Sequence, residues 1–241
     1  MANHTGVTEI VDEGVALAEA AEAAGLKVRL LGGVAVVAHC PHVLAGKPHR
    51  EIADIDIAVS RRDARALTGF LESRGYTAEK RFNALHGDSR MIFHGPAGKL
   101  DVFVGAFSMC HVLELDNRLE LDAPALTATD LLLTKLQIVE LNAKDAHDAS
   151  ILLTEHPIKP GPGDHIDSTH FARLTGDDWG LWRTVTATLH RLTELYPAVA
   201  DRCRELAAAV EAAPKSRRFK MRARVGERVR WYELPEETEV A

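Results

Sequence analysis

Aromatic residues are scarce in this chain of 241 residues, at 5% of positions, so a hydrophobic core has to rest on Leu, Val, Ile and Ala. Cysteine is scarcer still: Cys40, Cys110 and Cys203 are odd in number and far apart. That excludes a disulfide framework and a paired-cysteine zinc site, and it suits a reducing compartment. No run approaches about 20 uninterrupted apolar residues, so no membrane-spanning helix is expected. The segment Met1 to Gly14 carries Glu9, Asp12 and Glu13 rather than a basic stretch followed by an apolar one, so a secretory signal is not expected and a cytoplasmic location is. The segment Lys159 to Asp164 lacks the form of a phosphate-binding Walker loop. His39, Cys40, His42 and His49 do not have the spacing of a tetrahedral zinc set.

The balance that is present is ordinary for a folded protein, with 46% hydrophobic and 27% charged residues. Charge, however, is segregated. Residues 214–232 hold Lys215, Arg217, Arg218, Lys220, Arg222, Arg224, Arg228 and Arg230 against Glu227 alone, the last nine residues hold four Glu, and the net charge is -6. A basic segment on an acidic body can contact a polyanion or dock on the body itself.

Periodicity divides the chain. Apolar spacing over Thr8 to Ala24 predicts a helix ended by Gly25, followed by a strand at Leu26 to Leu31, the pair Gly32-Gly33 and a short apolar helix. Asp54 to Val59 (DIDIAV) alternates as a strand, and Arg61 to Arg74 has helical spacing. Tyr76 to Arg81, Arg90 to Phe93 and Leu100 to Val104 read as three further strands. After Pro124 the pattern becomes helical, over Thr129 to Leu141, Lys144 to Thr154, Asp177 to Leu195 and Pro197 to Ala213. Phe219 to Trp231 alternates around Gly226-Glu227 and reads as a basic hairpin. The expected fold is therefore α+β: a mixed-sheet core over residues 1–122, a helical domain over 123–213, and a basic hairpin with an acidic tail over 214–241.

Asp54 and Asp56 carry the sharpest chemistry. Two residues apart on one strand, they project from the same face, where their like charges repel unless a cation lies between them. Hard carboxylate oxygens suit Mg²⁺ or Mn²⁺. If the strand bearing Asp101 lies beside them, three carboxylates converge into a two-metal site that aligns a hydroxyl with a nucleotide α-phosphate. Gly32-Gly33 complements this, since a glycine pair lets backbone approach phosphate closely and turns the amides of the following helix toward it.

These motifs together, LGG at Leu31 to Gly33, DIDI at Asp54 to Ile57 and LDVF at Leu100 to Phe103, resemble the polymerase-beta-like nucleotidyltransferase superfamily. Its pattern is a Gly-Gly or Gly-Ser pair, a DxD and a third acidic residue on a later strand. The form R-x-x-x-D-x-D, here Arg50, Asp54 and Asp56, is similar to the toxin-like branch that includes the abortive-infection AbiEii group. That branch carries an aspartate-leucine-lysine helix and a K-D-x-x-D signature, matched here by Asp130-Leu131 through Lys135 and by Lys144-Asp145 with Asp148. Further segments between Leu26 and Leu189, among them LLLTKLQIV and DWGLWRTVTATL, look like bacterial proteins described as nucleotidyltransferase-family.

The resemblance implies an α/β nucleotidyltransferase core that takes a nucleoside triphosphate and transfers a nucleotidyl group to a hydroxyl of RNA, protein or a small molecule. Asp54, Asp56 and Asp101 would hold metal, Gly32, Gly33, Arg50 and Lys135 would bind the nucleotide, and Lys144 and Asp148 would support them. An RNA acceptor would meet the basic segment 215–230, and the toxin branch implies an antitoxin partner. Two departures stand out: twenty residues separate Gly33 from Asp54, which makes His39 to Pro48 an inserted loop, and the second glycine stands where relatives often have serine. The competing readings are a catalytically weak nucleotide-binding protein of a toxin-antitoxin pair and a metal-dependent phosphohydrolase. Three retained aspartates argue against the former, and no hydrolase signature supports the latter.

Overall fold

A computed structural model describes residues 3–44, 50–96 and 98–234. Residues 45–48 of the expected inserted loop, His49 beyond it, and residues 235–241 of the acidic tail lie outside the described residues. The chain divides into two compact units, one comprising Met1–Phe107 and Leu113–Thr127, the other Ser108–Val112 and Ala128–Ala241. Among the described residues no helix is long and apolar enough to cross a membrane. The architecture is α+β, a mixed sheet followed by a helical region.

The first unit runs α1 (Asn3–Ala23), β1 (Val28–Leu31), α2 (Gly32–His39), α3 (Pro41–Leu44), β2 (Asp54–Val59), α4 (Ala64–Ser73), β3 (Thr77–Ala78), α5 (Lys80–His86), β4 (Arg90–Gly95) and β5 (Gly98–Val104), then β6 (Ala106–Ser108) and β7 (Val112–Glu114), which make a small two-stranded sheet of their own. The main sheet has the order β1-β2-β5-β4-β3. Its β2–β5 pair is parallel and the other three pairs are antiparallel. A parallel pair needs a crossover, and here α4, β3, α5 and β4 supply it.

Alternation assigns the two faces of this sheet. Val28 and Leu30, Ile55, Ile57 and Val59, Leu100, Val102 and Val104, and Met91 and Phe93 lie on one face, and all are buried. Leu67 and Leu71 of α4 are fully buried as well. At about 25 cal/mol per Å² of apolar surface, these side chains are the main favourable contribution to folding of the unit. The opposite face carries Asp54 and Asp56 on β2, Lys99 and Asp101 on β5, and Arg90, Ile92 and His94 on β4. Chemistry and core are thus separated by the period of two.

Where the sequence predicts a strand over Tyr76 to Arg81, the strand ends at Ala78 and α5 begins at Lys80. The backbone N–H of Glu79 still bonds to the carbonyl of Ile92, and Asn83 then clamps the backbone of Ile92 with its side-chain amide. The helix therefore turns off the sheet edge while staying tied to it.

The second unit contains α6 (Ala128–Leu136), α7 (Ala143–Glu155), the parallel pair β8 (Ile158–Lys159) and β9 (Ile166–Asp167), α8 (Ser168–Asp177), α9 (Trp179–Leu195), α10 (Ala200–Ala212) and α11 (Arg217–Val225). The single helix expected over Asp177 to Leu195 is instead the tail of α8 and the whole of α9. Asp178 breaks them, leaving helical geometry and capping α9 by accepting the N–H of Leu181.

The basic hairpin expected over Phe219 to Trp231 is corrected: its first half is α11. Ser216 caps the helix by accepting the N–H of Phe219, and Gly226, at φ 60°, ends it. Of the alternating apolar residues, Phe219 is buried while Met221, Val225 and Val229 are exposed, so the alternation has no buried face behind it.

Candidate active site

Asp56 and Asp101 face each other in register across the parallel β2–β5 pair, and Asp54 lies two residues before Asp56 on the same face. One carboxylate oxygen from each of the three lies within 4.8 Å of the other two. Asp54 and Asp56 are half-buried and Asp101 is buried. Hard cations such as Mg²⁺ hold oxygen ligands at about 2.1 Å, so oxygens this close can converge on one ion or on a close pair with only small rotations. The donor set fits a hard divalent cation.

The glycine turn is built against this cluster. Gly32 opens α2 at φ 66°, a region that L side chains rarely adopt. A Cβ there would stand 1.9 Å from Asp56 Oδ2 and 3.1 Å from Asp56 Cβ. At Gly33 a Cβ would meet Arg50 Nη2 at 2.6 Å and Ile52 Cγ1 at 3.3 Å. Gly32, Gly33, Arg50, Asp54, Asp56 and Asp101, six residues expected from the sequence to share a site, are therefore neighbours in the first unit.

Two cations in the cluster were not expected. Arg90 Nη2 lies 2.9 Å from Asp101 Oδ1, and Lys99 Nζ lies 2.8 Å from Asp101 Oδ2. The guanidinium of Arg90 also stands over the rings of Phe103, at 5.3 Å, and Phe82, at 6.0 Å, within cation–π range of both. The signal was present in the alternation of Arg90, Ile92 and His94 against Met91 and Phe93. Reading it requires the register of β4 on β5. A further buried cation on this face, Arg29, is committed elsewhere: it donates to Glu22 and to the carbonyls of Asp122 and Val28. The hydrogen bonds from Arg29 and Lys27 hold the Glu22 carboxyl below its usual range.

Lys135 lies in the second unit, on α6, and is buried. Its ammonium bridges Asp145, at 2.9 Å, and Asp148, at 3.0 Å. Burial alone would lower its pKa, but the two carboxylates outweigh that and hold it above the ordinary lysine value. Within K-D-x-x-D it is Asp145 and Asp148 that reach Lys135, while Lys144 is exposed. On α11, Arg217, Arg218, Lys220 and Arg224 are exposed. Arg222 instead donates to the carbonyls of Gly226 and Val229 and lies 4.7 Å over Trp179. Trp182 packs edge-on against Phe219.

No protein-family model matches the chain, nor does any curated protein sequence. Solved structures do align with it. The antibiotic-resistance factor ANT(2'')-Ia aligns over 63% of this chain and 84% of its own, with 14% identity and a TM-score of 0.42. The lincosamide antibiotic adenylyltransferase LnuA aligns over 62% and 95%, with 23% identity and a TM-score of 0.40. An antigenic nucleotidyltransferase-like protein from Paracoccidioides brasiliensis aligns over 87% and 95%, with 15% identity and a TM-score of 0.44.

Proposed function

We propose that this protein is a divalent-metal-dependent nucleotidyltransferase that moves a nucleotidyl group from a nucleoside triphosphate to a hydroxyl and releases pyrophosphate. The observation that carries the reading is the convergence of Asp54, Asp56 and Asp101 to within 4.8 Å beside a glycine turn pressed onto Asp56. In this reading the three carboxylates hold Mg²⁺ or Mn²⁺. When bound, the metal supplies Lewis-acid polarisation and charge neutralisation at the phosphates. The amides of Gly32 and Gly33 cradle the polyphosphate, with no Cβ in the way, and Arg50 at their back offsets its charge. Rate acceleration then comes from positioning and electrostatic stabilisation. The sequence resemblance also assigns the exposed cations of α11 to an RNA acceptor, and that assignment carries over as part of the proposal, whereas Lys135, whose ammonium is held by Asp145 and Asp148, is not given a nucleotide contact.

The test is incubation with each α-labelled triphosphate, Mg²⁺, and total RNA or the protein itself, following label in polymer against label in free nucleotide. Transfer by the wild type and its loss in Asp54→Asn are expected, because the variant removes a charged ligand. Transfer undiminished in Asp54→Asn would overturn the reading. In the RNA arm, charge reversal at Arg217, Lys220 and Arg224 is expected to weaken salt-sensitive RNA binding and leave nucleotide binding intact. RNA binding that is unmoved removes α11 from the proposal.

A second reading rests on Arg90 and Lys99, which engage both oxygens of Asp101. A nucleotide-binding protein of weak catalysis, acting through an antitoxin-like partner, would bind Mg²⁺-triphosphate without transferring label.

A further inference from the structure

Nucleotide binding leaves Arg90 and Lys99 unexplained, and sheet order tells which side of the site they serve. Gly32 and Gly33 follow β1 and press on Asp56 and Arg50, so a polyphosphate held by their amides lies on the β1–β2 flank. In nucleotidyl transfer the acceptor oxygen bonds the α-phosphorus as the bond from that phosphorus to the bridging oxygen breaks. The electron pair leaves on pyrophosphate, and the hydroxyl proton passes to water. Attacking and leaving oxygens stand roughly in line. With pyrophosphate on the glycine flank, the acceptor must arrive from the other side, past Asp101 and over β5 and β4.

That flank is cationic. Lys99 and Arg90 lie within 3 Å of the two Asp101 oxygens, and His94, exposed, pairs with Lys99 in register. Within β4 and β5, Asp101 is the only acid, against the two cations Arg90 and Lys99. Once the Asp101 carboxylate is drawn toward Asp54 and Asp56, a guanidinium and an ammonium are left facing the acceptor. Arg90 lies over Phe103 and Phe82, and its planar fork matches a phosphate. An ammonium-bearing acceptor would meet like charge at both Arg90 and Lys99.

We propose that the acceptor is an anion, a hydroxyl compound carrying a phosphate within reach of Arg90 and Lys99, and that these two residues set acceptor choice. This inference rests on the nucleotidyl-transfer reading above. The same chemistry is offered by the end of an RNA strand and by a small sugar phosphate.

The experiment gives the wild type, Lys99→Gln, Arg90→Gln and Lys99→Arg an α-labelled triphosphate and Mg²⁺. The acceptors are a short oligoribonucleotide, a sugar phosphate, the same sugar without phosphate, and an amino sugar. Acceptor affinity is also measured directly, by anisotropy for the oligonucleotide and calorimetry for the sugar phosphate, at two salt concentrations. Label is expected on a phosphate-bearing acceptor, with the neutral and amino sugars at least about tenfold poorer. Lys99→Gln and Arg90→Gln are expected to weaken acceptor binding about tenfold and change triphosphate affinity less than about twofold, with Lys99→Arg close to wild type. Which phosphate-bearing compound is labelled identifies the source. Equal labelling of the amino or neutral sugar overturns the proposal, as does acceptor binding unchanged in both glutamine variants. Binding of Mg²⁺-triphosphate with no phosphate-bearing acceptor labelled overturns it while sparing the nucleotide site. A wild type that does not bind Mg²⁺-triphosphate removes both readings together.

Discussion

Replacing Gly32 by alanine puts a single methyl group where the proposed site is tightest, and the geometry there sets the size of the effect. The residue sits at φ 66°, where an L side chain costs roughly 1–2 kcal/mol. The methyl carbon would stand 1.9 Å from Asp56 Oδ2, 2.9 Å from its Cγ and 3.1 Å from its Cβ. Rotating the carboxylate relieves the first contact but leaves the Cβ contact tight. The side chain must therefore retreat by more than about 1 Å, or the β1–α2 turn must open. Misplacing a catalytic group by about that distance costs on the order of 100-fold in rate, close to 2.7 kcal/mol. Gly69→Ala on α4 is the control, because no atom lies within 4 Å of the added methyl, and there the same change should stabilise by roughly 0.5–1 kcal/mol. Urea denaturation reads the first effect, and binding of Mg²⁺-triphosphate with label transfer reads the second. A Gly32→Ala protein as stable as wild type, with transfer within about threefold, would refute the reasoning.

Two further predictions concern charge. Lys135→Met leaves Asp145 and the buried Asp148 without their shared cation and should destabilise by about 3–5 kcal/mol. Lys135→Met combined with Asp148→Leu should recover part of that loss, and denaturation midpoints unchanged in the single variant would show that the bridge contributes nothing. Asp63 is the pH probe. The hydrogen bond from Arg62 holds its carboxyl down at about 2, against an ordinary 3.8, and the backbone N–H of Lys27 adds to this. Because the folded-state value is the lower one, the contribution is complete above pH 3.8 and disappears as pH falls toward 2. Arg62 is exposed, so screening trims the contribution to roughly 1 kcal/mol. Asp63→Asn should lose that amount at neutral pH and converge with wild type in acid, and parallel stability profiles from pH 7 to about 2 would contradict it.

Local pattern carried far where backbone alone decides the outcome. Asp54 to Val59 alternates polar and apolar because one face of β2 meets the core and the other meets the site, and its bounds agree with the structure residue for residue. The glycine pair was readable for the same reason, since few residues other than glycine accept the conformation of Gly32 or its distance from Asp56. Alternation misled at Phe219 to Trp231, where Met221, Val225 and Val229 face solvent and no buried face enforces a period of two. The helix signals there, Ser216 at one end and Gly226 at the other, were the better guide. α5 was missed because what ties it to the sheet edge is Asn83 bonding a backbone nine residues away in sequence. Arg90 and Lys99 were missed because their meaning lies in the partner strand. Lys99 is two residues from Asp101, but Arg90 reaches it only through an antiparallel register that no local window contains.

The cations that local reading missed explain how the carboxylates can stand together at all. At an effective dielectric constant of about 20, two unit charges 4.8 Å apart repel by roughly 3 kcal/mol, and three such pairs would strain the β2–β5 register unless offset. Arg90 and Lys99 offset it at Asp101, the most deeply buried member, through the two hydrogen-bonded oxygens. Arg50 sits behind Gly33 on the other flank, so the charge of three acids is matched by three bases spread around them. Such a balanced cluster lets the apo protein fold around a site whose charge is about to change. The cations on the β4–β5 side then keep their places as the carboxylates turn inward, and the group they next attract is set by their sign. Neutralising Lys99 should therefore weaken both apo-state stability and acceptor binding, whereas Lys99→Arg should preserve both, a pairing of effects that a purely structural ion pair would not produce.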